Sequence, residues 1–270
     1  LEFLQGGMTP IVLQHGLFGF SDIKVGKLKF SYFHGIDRAI LERGHPVVIS
    51  RVHPTSSIEL RARQLRAQIL SQLRALGRPK DRVIIIAHSM GGLDARYMIC
   101  KLRMAERVAA LITLSTPHRG SPYADWCMKN LGKRLGGLKL CKLLCLDLQA
   151  IRDLTTESCR EFNDAIEDSP HVKYFSIAGS RPWHRMAPIF LHSHKIIHDI
   201  EGANDGMVSV DSARWGEHLE TWPCDHLHMV NRRIVPEIRQ RTGDVRGRYL
   251  KLLDYLQETG CFECEKSVSS

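Results

Sequence analysis

The sequence predicts an α/β fold with a mostly parallel central sheet and helices on both faces. Three observations carry this. Short, almost wholly apolar runs recur along the chain, at Ile11-Val12-Leu13, Val83 to Ile86 and Val108 to Leu114. Runs apolar at consecutive positions suit strands covered on both faces, which is the habit of parallel sheets. Helix-length segments with apolar stripes separate them, giving the alternation of an α/β domain.

The elements follow in order. Residues 10–14 read as a buried strand, and residues 30–43 as a helix closed by Gly44. Pro46 to Val52 reads as a second strand. Ser56 or Ser57 caps a long helix whose stripe is Ile58, Leu65, Ile69, Leu73 and Leu76, stopped by Gly77 to Pro79. The arginines of that helix lie off the stripe and read as a solvated face. A strand over 82–87, a helix over 92–102 (Leu93, Tyr97 and Cys100 on one face) and a strand over 107–115 complete the first half. From about 122 to 170 the pattern is helical with no strand, too long for a plain connection, so it reads as an insertion over the end of the sheet. A strand at 172–177 resumes the sheet. A loop-rich stretch, a short apolar segment at 207–210 and helices near 229–241 and 245–258 end the chain. No internal repeat or low-complexity tract occurs.

The 270 residues are 43% hydrophobic and 25% charged, enough for one large domain, read as 8–270 with the insertion inside it. Leu1 to Gly7 reads as the remnant of a tag. Met8 as the native start would make the protein cytoplasmic, and secretion after removal of a leader is the alternative. No run approaches the roughly 20 apolar residues of a membrane span. The net charge of +9 favours anionic surfaces, lipid interfaces included. No helix-turn-helix, finger or RNA-binding signature accompanies it, so nucleic acid is not expected as a partner. Eight cysteines fall in no spacing that forces a disulfide framework. Cys261 and Cys264 read as two free thiols, because no second pair or nearby histidine completes a zinc site. His192, His194 and His198 read as surface or packing residues of a loop rather than metal ligands. No metal or cofactor is expected.

Residues 87–92, Ala-His-Ser-Met-Gly-Gly, directly follow the Val83–Ile86 run. Strand, tight turn with small residues two positions either side of a serine, then helix is the layout of a nucleophile elbow. A small-x-Ser-x-Gly string alone is common by chance; its setting raises it above that. A serine nucleophile needs a base and an acid that orients the base, in the chain order serine, acid, histidine on this layout. That order sets aside His15 and His34, and His88 adjoins the serine. His226 and His228 remain, on one side of an extended segment, and periodicity does not separate them. Asp205, in Gly202-Ala-Asn-Asp-Gly206, has the turn setting expected of the acid, with Asp199 and Asp211 as rivals. An aspartate in such a turn more often caps its own backbone. Backbone N–H groups must meet the oxyanion of a tetrahedral intermediate. Met90, after the serine, and Leu17, in the glycine loop His15-Gly16-Leu17-Phe18-Gly19, are the expected donors. His15, Gly16 and Phe18 are expected around the substrate.

Five strings now stand together: His15-Gly-Leu-Phe-Gly-Phe20, Ala87-His-Ser-Met-Gly-Gly92, Ser115-Thr-Pro-His-Arg-Gly-Ser121, Asn204-Asp-Gly-Met-Val208 and Asp225-His-Leu-His-Met-Val-Asn231. With Leu154-Thr-Thr and Phe162-Asn163, they resemble the bacterial true-lipase family, the triacylglycerol lipases of pseudomonad type, from about Pro10 to Asn231. The resemblance implies an α/β-hydrolase fold, a helical lid, and a triad of Ser89, Asp205 and His226. In that family a leucine follows the histidine, which selects His226. Two departures accompany it. Where the family has an aspartate and a glutamine that serve a structural calcium, this chain has His228 and Arg232, poor partners for a hard cation, so no calcium is expected there. Where many members have a cysteine, Asp211 stands, so that disulfide is expected to be absent. Both fit a non-exported protein, or a member that uses other stabilisers. Leu131, Leu135 and Leu138 share a face of the insertion and Gly136-Gly137 offers a hinge, which fits a lid opening at a lipid surface and equally a fixed cap. The expectation is a carboxylic ester hydrolase acting on acylglycerols. The same machinery on small soluble esters, thioesters or acyl acceptors, and a non-catalytic lipid-surface binder, are the alternatives.

Overall fold

The computed structural model describes residues 8–17, 22–25, 28–131, 148–232 and 244–262. Its sheet begins with β1 (Ile11–Gln14), after which β2 (Asp22–Val25) and β3 (Leu28–Ser31) form a separate antiparallel pair. Next come α1 (Ile36–Glu42), β4 (Val47–Ile49), α2 (Ile58–Ala75), β5 (Val83–His88), α3 (Gly91–Lys101) and β6 (Val108–Leu114). Three helices follow: α4 (Pro122–Leu131), α5 (Leu148–Asp153) and α6 (Thr156–Ala165). The chain then returns through β7 (Lys173–Gly179), α7 (Leu191–Glu201), α8 (Val210–Ala213), β8 (Glu217–Trp222) and α9 (Arg246–Glu258).

The strands pair in parallel in the order β4-β1-β5-β6-β7-β8. Because side chains alternate across a strand, each fully buried strand feeds two cores. Ile11, Leu13, Ile84, Ile86, Ile112 and Leu114 face α1 and α9, meeting Ile36, Ile40, Tyr249, Leu252 and Leu256. Val12, Ile85, Ala87 and Leu111 face α2 and α3, meeting Leu65, Ile69, Leu73 and Met98.

The chain leaves β1 for β4 on one side and returns to β5 on the other. The carboxyl ends of β1 and β5 thus lie side by side, with Gln14 beside Ala87. In open α/β sheets such a switch point opens a crevice between diverging loops.

Several boundaries differ from the sequence reading. The helix expected at 30–43 starts only at Ile36, because β3 runs to Ser31 and residues 32–35 turn, ending at Gly35 with φ 72°. The second strand keeps three residues, although Ser50 still donates its N–H to Leu13 O. Ser57 caps α2, accepting from Leu60 N, and Leu76 is exposed past its end. The loop-rich stretch holds a full helix, α7. Residues 217–222 form β8, an edge strand of polar composition that periodicity overlooks. At the start of the helix expected near 229–241 the described residues form a 3₁₀ turn at His228–Val230, followed by left-handed Asn231 at φ 59°, and residues 233–241 lie outside the described residues. Leu135, Leu138, Gly136, Gly137 and Cys264 lie outside the described residues. Among the described residues no helix is long and apolar enough to cross a membrane.

The largest correction concerns Arg61. Far from lying on a solvated face, it is fully buried with Asp94 of α3. Its Nε donates to both Asp94 carboxylate oxygens at 3.2 and 2.9 Å. One terminal nitrogen donates to His53 O at 2.7 Å, and the other to His15 O at 2.8 Å and Gly16 O at 3.3 Å. Gln14 Nε2 donates to Asp94 Oδ2 at 2.7 Å. One side chain therefore joins α2, α3 and the segment that leaves β1. Arg61→Met is expected to destabilise the protein by about 3–5 kcal/mol in urea unfolding, because it strands the Asp94 charge. Adding Asp94→Leu should recover part of that loss. A single variant as stable as wild type would show that the pair carries no such weight.

Candidate active site

Ser89 sits between β5 and α3 with φ 56°, a strained left-handed backbone for a non-glycine residue. The strain is held by bonds on both sides. Ser89 N–H donates to Leu114 O at 2.9 Å, and Ser89 O accepts from Thr116 Oγ1 at 2.7 Å. The turn fits only because its neighbours are small. A Cβ on Gly91 would meet His15 O at 2.8 Å, and one on Gly92 would collide with Thr116 Oγ1. A Cβ on Gly16 would meet Ser89 Cβ at 2.6 Å, so the loop after β1 lies directly on the serine.

His226 enters from the loop after β8. Its Nε2 is 2.9 Å from Ser89 Oγ, and its Nδ1 is 2.7 Å from Asp205 Oδ2. Its backbone N–H donates to Asp205 O at 2.9 Å. Asp205 is fully buried in the turn between α7 and α8. Its Oδ1 accepts the N–H groups of Met207 and Val208 at 2.9 and 2.8 Å, leaving Oδ2 for the imidazole. The carboxylate thus does both things considered for it: it caps its own turn and orients the histidine. Gly179 makes room, since a Cβ there would meet Asp205 Cβ at 2.8 Å. A hydroxyl in this chain can pass its proton to Nε2 while the carboxylate holds Nδ1–H.

The rivals lie elsewhere. His228 is buried and its N–H donates to Asp225 Oδ1 at 3.0 Å. Asp199 pairs with Lys195 on the exposed side of α7, and Asp211 faces solvent beside Arg214. Sequence reasoning missed the buried pair of Arg181 and Asp225, 3.0 Å apart, which anchors the His226 loop. Asp225 next to the histidine was its only sequence signal. His192, His194 and His198 stand on α7 rather than in a loop. His192 meets Trp126 edge-on, His194 faces Arg181 O, and His198 is exposed. Among the described residues no group of three or more histidines, cysteines or acids could hold a metal ion.

Arg61 also orients the loop after β1. It draws the carbonyls of His15 and Gly16 toward itself. Carbonyl and N–H of one trans peptide point oppositely, so the Leu17 N–H is turned away from Arg61. Met90 N–H lies at the start of α3, where the helix leaves its first amides unbonded. Among the described residues neither N–H is hydrogen-bonded to protein. Ser89, His226 and Leu17 line a cavity of about 540 Å³ whose other walls include Tyr123, Ile151, Leu154, Ile189 and Phe190. Of the three residues expected around the substrate, Gly16 abuts Ser89. His15 is turned behind the wall, its Nδ1 donating to Gly16 O at 2.9 Å. Phe18 lies outside the described residues.

Burial holds several imidazoles neutral. His15 is pushed down to about 4 by burial and then by Arg61, and His88 and His118 lie well below the ordinary value for the same first reason.

With fold and geometry established, comparison places the chain among known proteins. Residues 62–183 match the PGAP1-like alpha/beta domain. Over 213 residues the chain is 34% identical to triacylglycerol lipase 2 of Saccharomyces cerevisiae, covering 76% of this chain but only 63% of the yeast protein. It is 29% identical to the triacylglycerol lipase of Pseudomonas fragi, covering 93% of this chain and 97% of that one. Among solved structures, the mature lipase of Bacillus licheniformis matches with a TM-score of 0.71 at 23% identity, over 94% of this chain and 95% of that one. The fold is that of the α/β-hydrolases, and the chain's relatives by sequence are triacylglycerol lipases.

The neutral histidines make stability pH-dependent. Their unfolded value is 6.5 and the folded value is lower, so on acidification the unfolded chain takes up protons first. The stabilisation is complete above pH 6.5 and is lost as pH falls, for His15 down to about 4. His15 alone should account for about 3 kcal/mol across that window. Urea midpoints measured at several pH values check this; unchanged midpoints from neutrality to about pH 4.5 would contradict it.

Proposed function

We propose that this chain is a carboxylic ester hydrolase of lipase type, acting through an acyl-enzyme. Ser89 Oγ attacks the acyl carbonyl carbon and His226 Nε2 takes its proton. Asp205 holds the imidazole in the Nδ1–H tautomer and stabilises the imidazolium that forms. The N–H groups of Leu17 and Met90 meet the oxyanion, and the protonated His226 then gives its proton to the departing alcohol. Water, activated by the same imidazole, releases the acid and restores Ser89.

The observation that carries the reading is the continuous chain Ser89 Oγ to His226 Nε2 at 2.9 Å and Nδ1 to Asp205 Oδ2 at 2.7 Å, opening into an apolar cavity. Aliphatic and aromatic walls suit an acyl chain, which supports acylglycerols as substrates. The names of the yeast and Pseudomonas fragi relatives point the same way, and the nearly full-length alignment with the latter supports membership of the pseudomonad-type true lipases. In this reading α4, α5 and α6 cap the acyl cavity.

The test is hydrolysis of an ester series, from short soluble chains to emulsified long-chain triglyceride. Ser89→Ala should lower kcat on the order of 10⁵-fold on every accepted ester. Activity that rises on long chains above their solubility limit supports the acylglycerol reading. Activity confined to short chains would replace it with a soluble esterase. Hydrolysis indifferent to Ser89→Ala would overturn the proposal.

A further inference from the structure

His226 is held at more points than its two ring nitrogens. His88, the residue before Ser89, is fully buried, and its Nε2 is 2.9 Å from the backbone oxygen of His226. A carbonyl only accepts, so Nε2 carries the hydrogen of His88. Burial, reinforced by the nearby His226, keeps the ring neutral. Nδ1 is then an acceptor, and Tyr32 Oη, 2.7 Å away, must donate to it. The remaining lone pairs of Tyr32 Oη take the Gly16 N–H at 3.3 Å. Every donor in the series has one acceptor, and the tautomer of His88 follows from the bonding alone.

The series runs Gly16 N–H to Tyr32 Oη to His88 Nδ1, then His88 Nε2–H to His226 O. Its two ends are the loop that carries the Leu17 N–H and the loop that carries the imidazole. These loops follow β1 and β8, strands that do not neighbour each other in the sheet. Between them the series passes through the residue adjoining Ser89. The His88 and His226 rings lie 4.5 Å apart, tilted by 48°. The Tyr32 ring packs on Phe33, with centroids 5.3 Å apart. The Tyr32 backbone oxygen accepts from Arg232 Nε at 3.2 Å. The hydroxyl is thus fixed by packing as well as by its bonds.

We propose that Tyr32 and His88 are positioning residues that hold the oxyanion loop and the His226 loop in one fixed relation to Ser89. This rests on the acyl-transfer reading for its effect on rate, but the bonding it asserts can be read without turnover. In this role both act through backbone groups, although the His88 ring also packs on the imidazole and Tyr32 forms part of the cavity wall beside Ser89. They fix the height of the imidazole through its peptide carbonyl and the place of the oxyanion loop through the Gly16 N–H. Misplacement of such groups by a fraction of an ångström costs rate without weakening ground-state binding.

The test uses Tyr32→Phe, which keeps the ring and removes Oη, with His88→Gln and His88→Asn. A glutamine amide can reach where Nε2–H lies and keep the bond to His226 O, whereas asparagine is too short. Tyr32→Phe and His88→Asn should lower kcat by about 10- to 100-fold with KM nearly unchanged. His88→Gln should recover most of the His88→Asn loss. Tyr32→Phe combined with His88→Asn should lose little more than either alone, because both break one series. Rates are expressed per site titrated with a fluorophosphonate, so misfolded protein is not counted as slow enzyme. Imidazole ¹⁵N shifts should show His88 as a single Nε2–H tautomer in wild type and a mixture in Tyr32→Phe. Per-site kcat within about twofold of wild type in both Tyr32→Phe and His88→Asn would overturn the proposal, as would loss confined to Tm and titrated sites. If the wild-type protein hydrolyses no ester, the acyl-transfer reading fails. The ¹⁵N tautomer then decides the bonding separately, and an Nδ1–H His88 in wild type would overturn it.

Discussion

The buried pair of Arg61 and Asp94 ties together the elements that form the crevice. Burying two charges costs more than their attraction returns unless nearly every donor and acceptor is matched. Here the guanidinium spends its donors on Asp94 and on the carbonyls of His15, Gly16 and His53. Asp94 takes Gln14 as well. These partners lie on α2, α3 and the end of β1, the elements whose meeting makes the crevice. The pair therefore holds two helices on the sheet and sets the direction of the peptide that presents the Leu17 N–H.

The rest of the site follows from sheet topology. A parallel sheet brings the carboxyl ends of its strands to one edge, and the switch between β1 and β5 opens that edge. Ser89 leaves β5, Asp205 lies in the connection after β7, and His226 follows β8. Each is fixed by close backbone contact rather than by long side chains. Gly16 lies on Ser89, Gly179 lies under Asp205, and the peptide of Asp205 binds the peptide of His226. These side chains are thus set in place by the backbone, which for the proposed mechanism is the condition under which electrostatic stabilisation acts without reorganisation.

Legibility in the sequence tracked locality. β5, the elbow and α3 were readable because apolar strand, small residues and helix are contiguous. Ser89, Asp205 and His226 were readable as an ordered set because a turn aspartate and a late loop histidine are local signals; the choice between His226 and His228 came from resemblance. Arg61 was misread because amphipathic patterning treats any arginine as solvent-facing, and its partner lies 33 residues on. α7 was missed because its histidines resemble loop composition, and β8 because an edge strand with polar side chains lacks alternation. The Tyr32–His88 series had no sequence signal, since its members are brought together only by the fold.

The central claim is that this scaffold makes Ser89 a nucleophile through His226. The most direct measurement is peptide mass mapping after exposure of the protein to a fluorophosphonate. The account predicts a single stoichiometric adduct on the peptide carrying Ser89, formed fast in wild type and suppressed in His226→Ala. A wild-type protein that stays unlabelled, or one labelled equally well without His226, would contradict it.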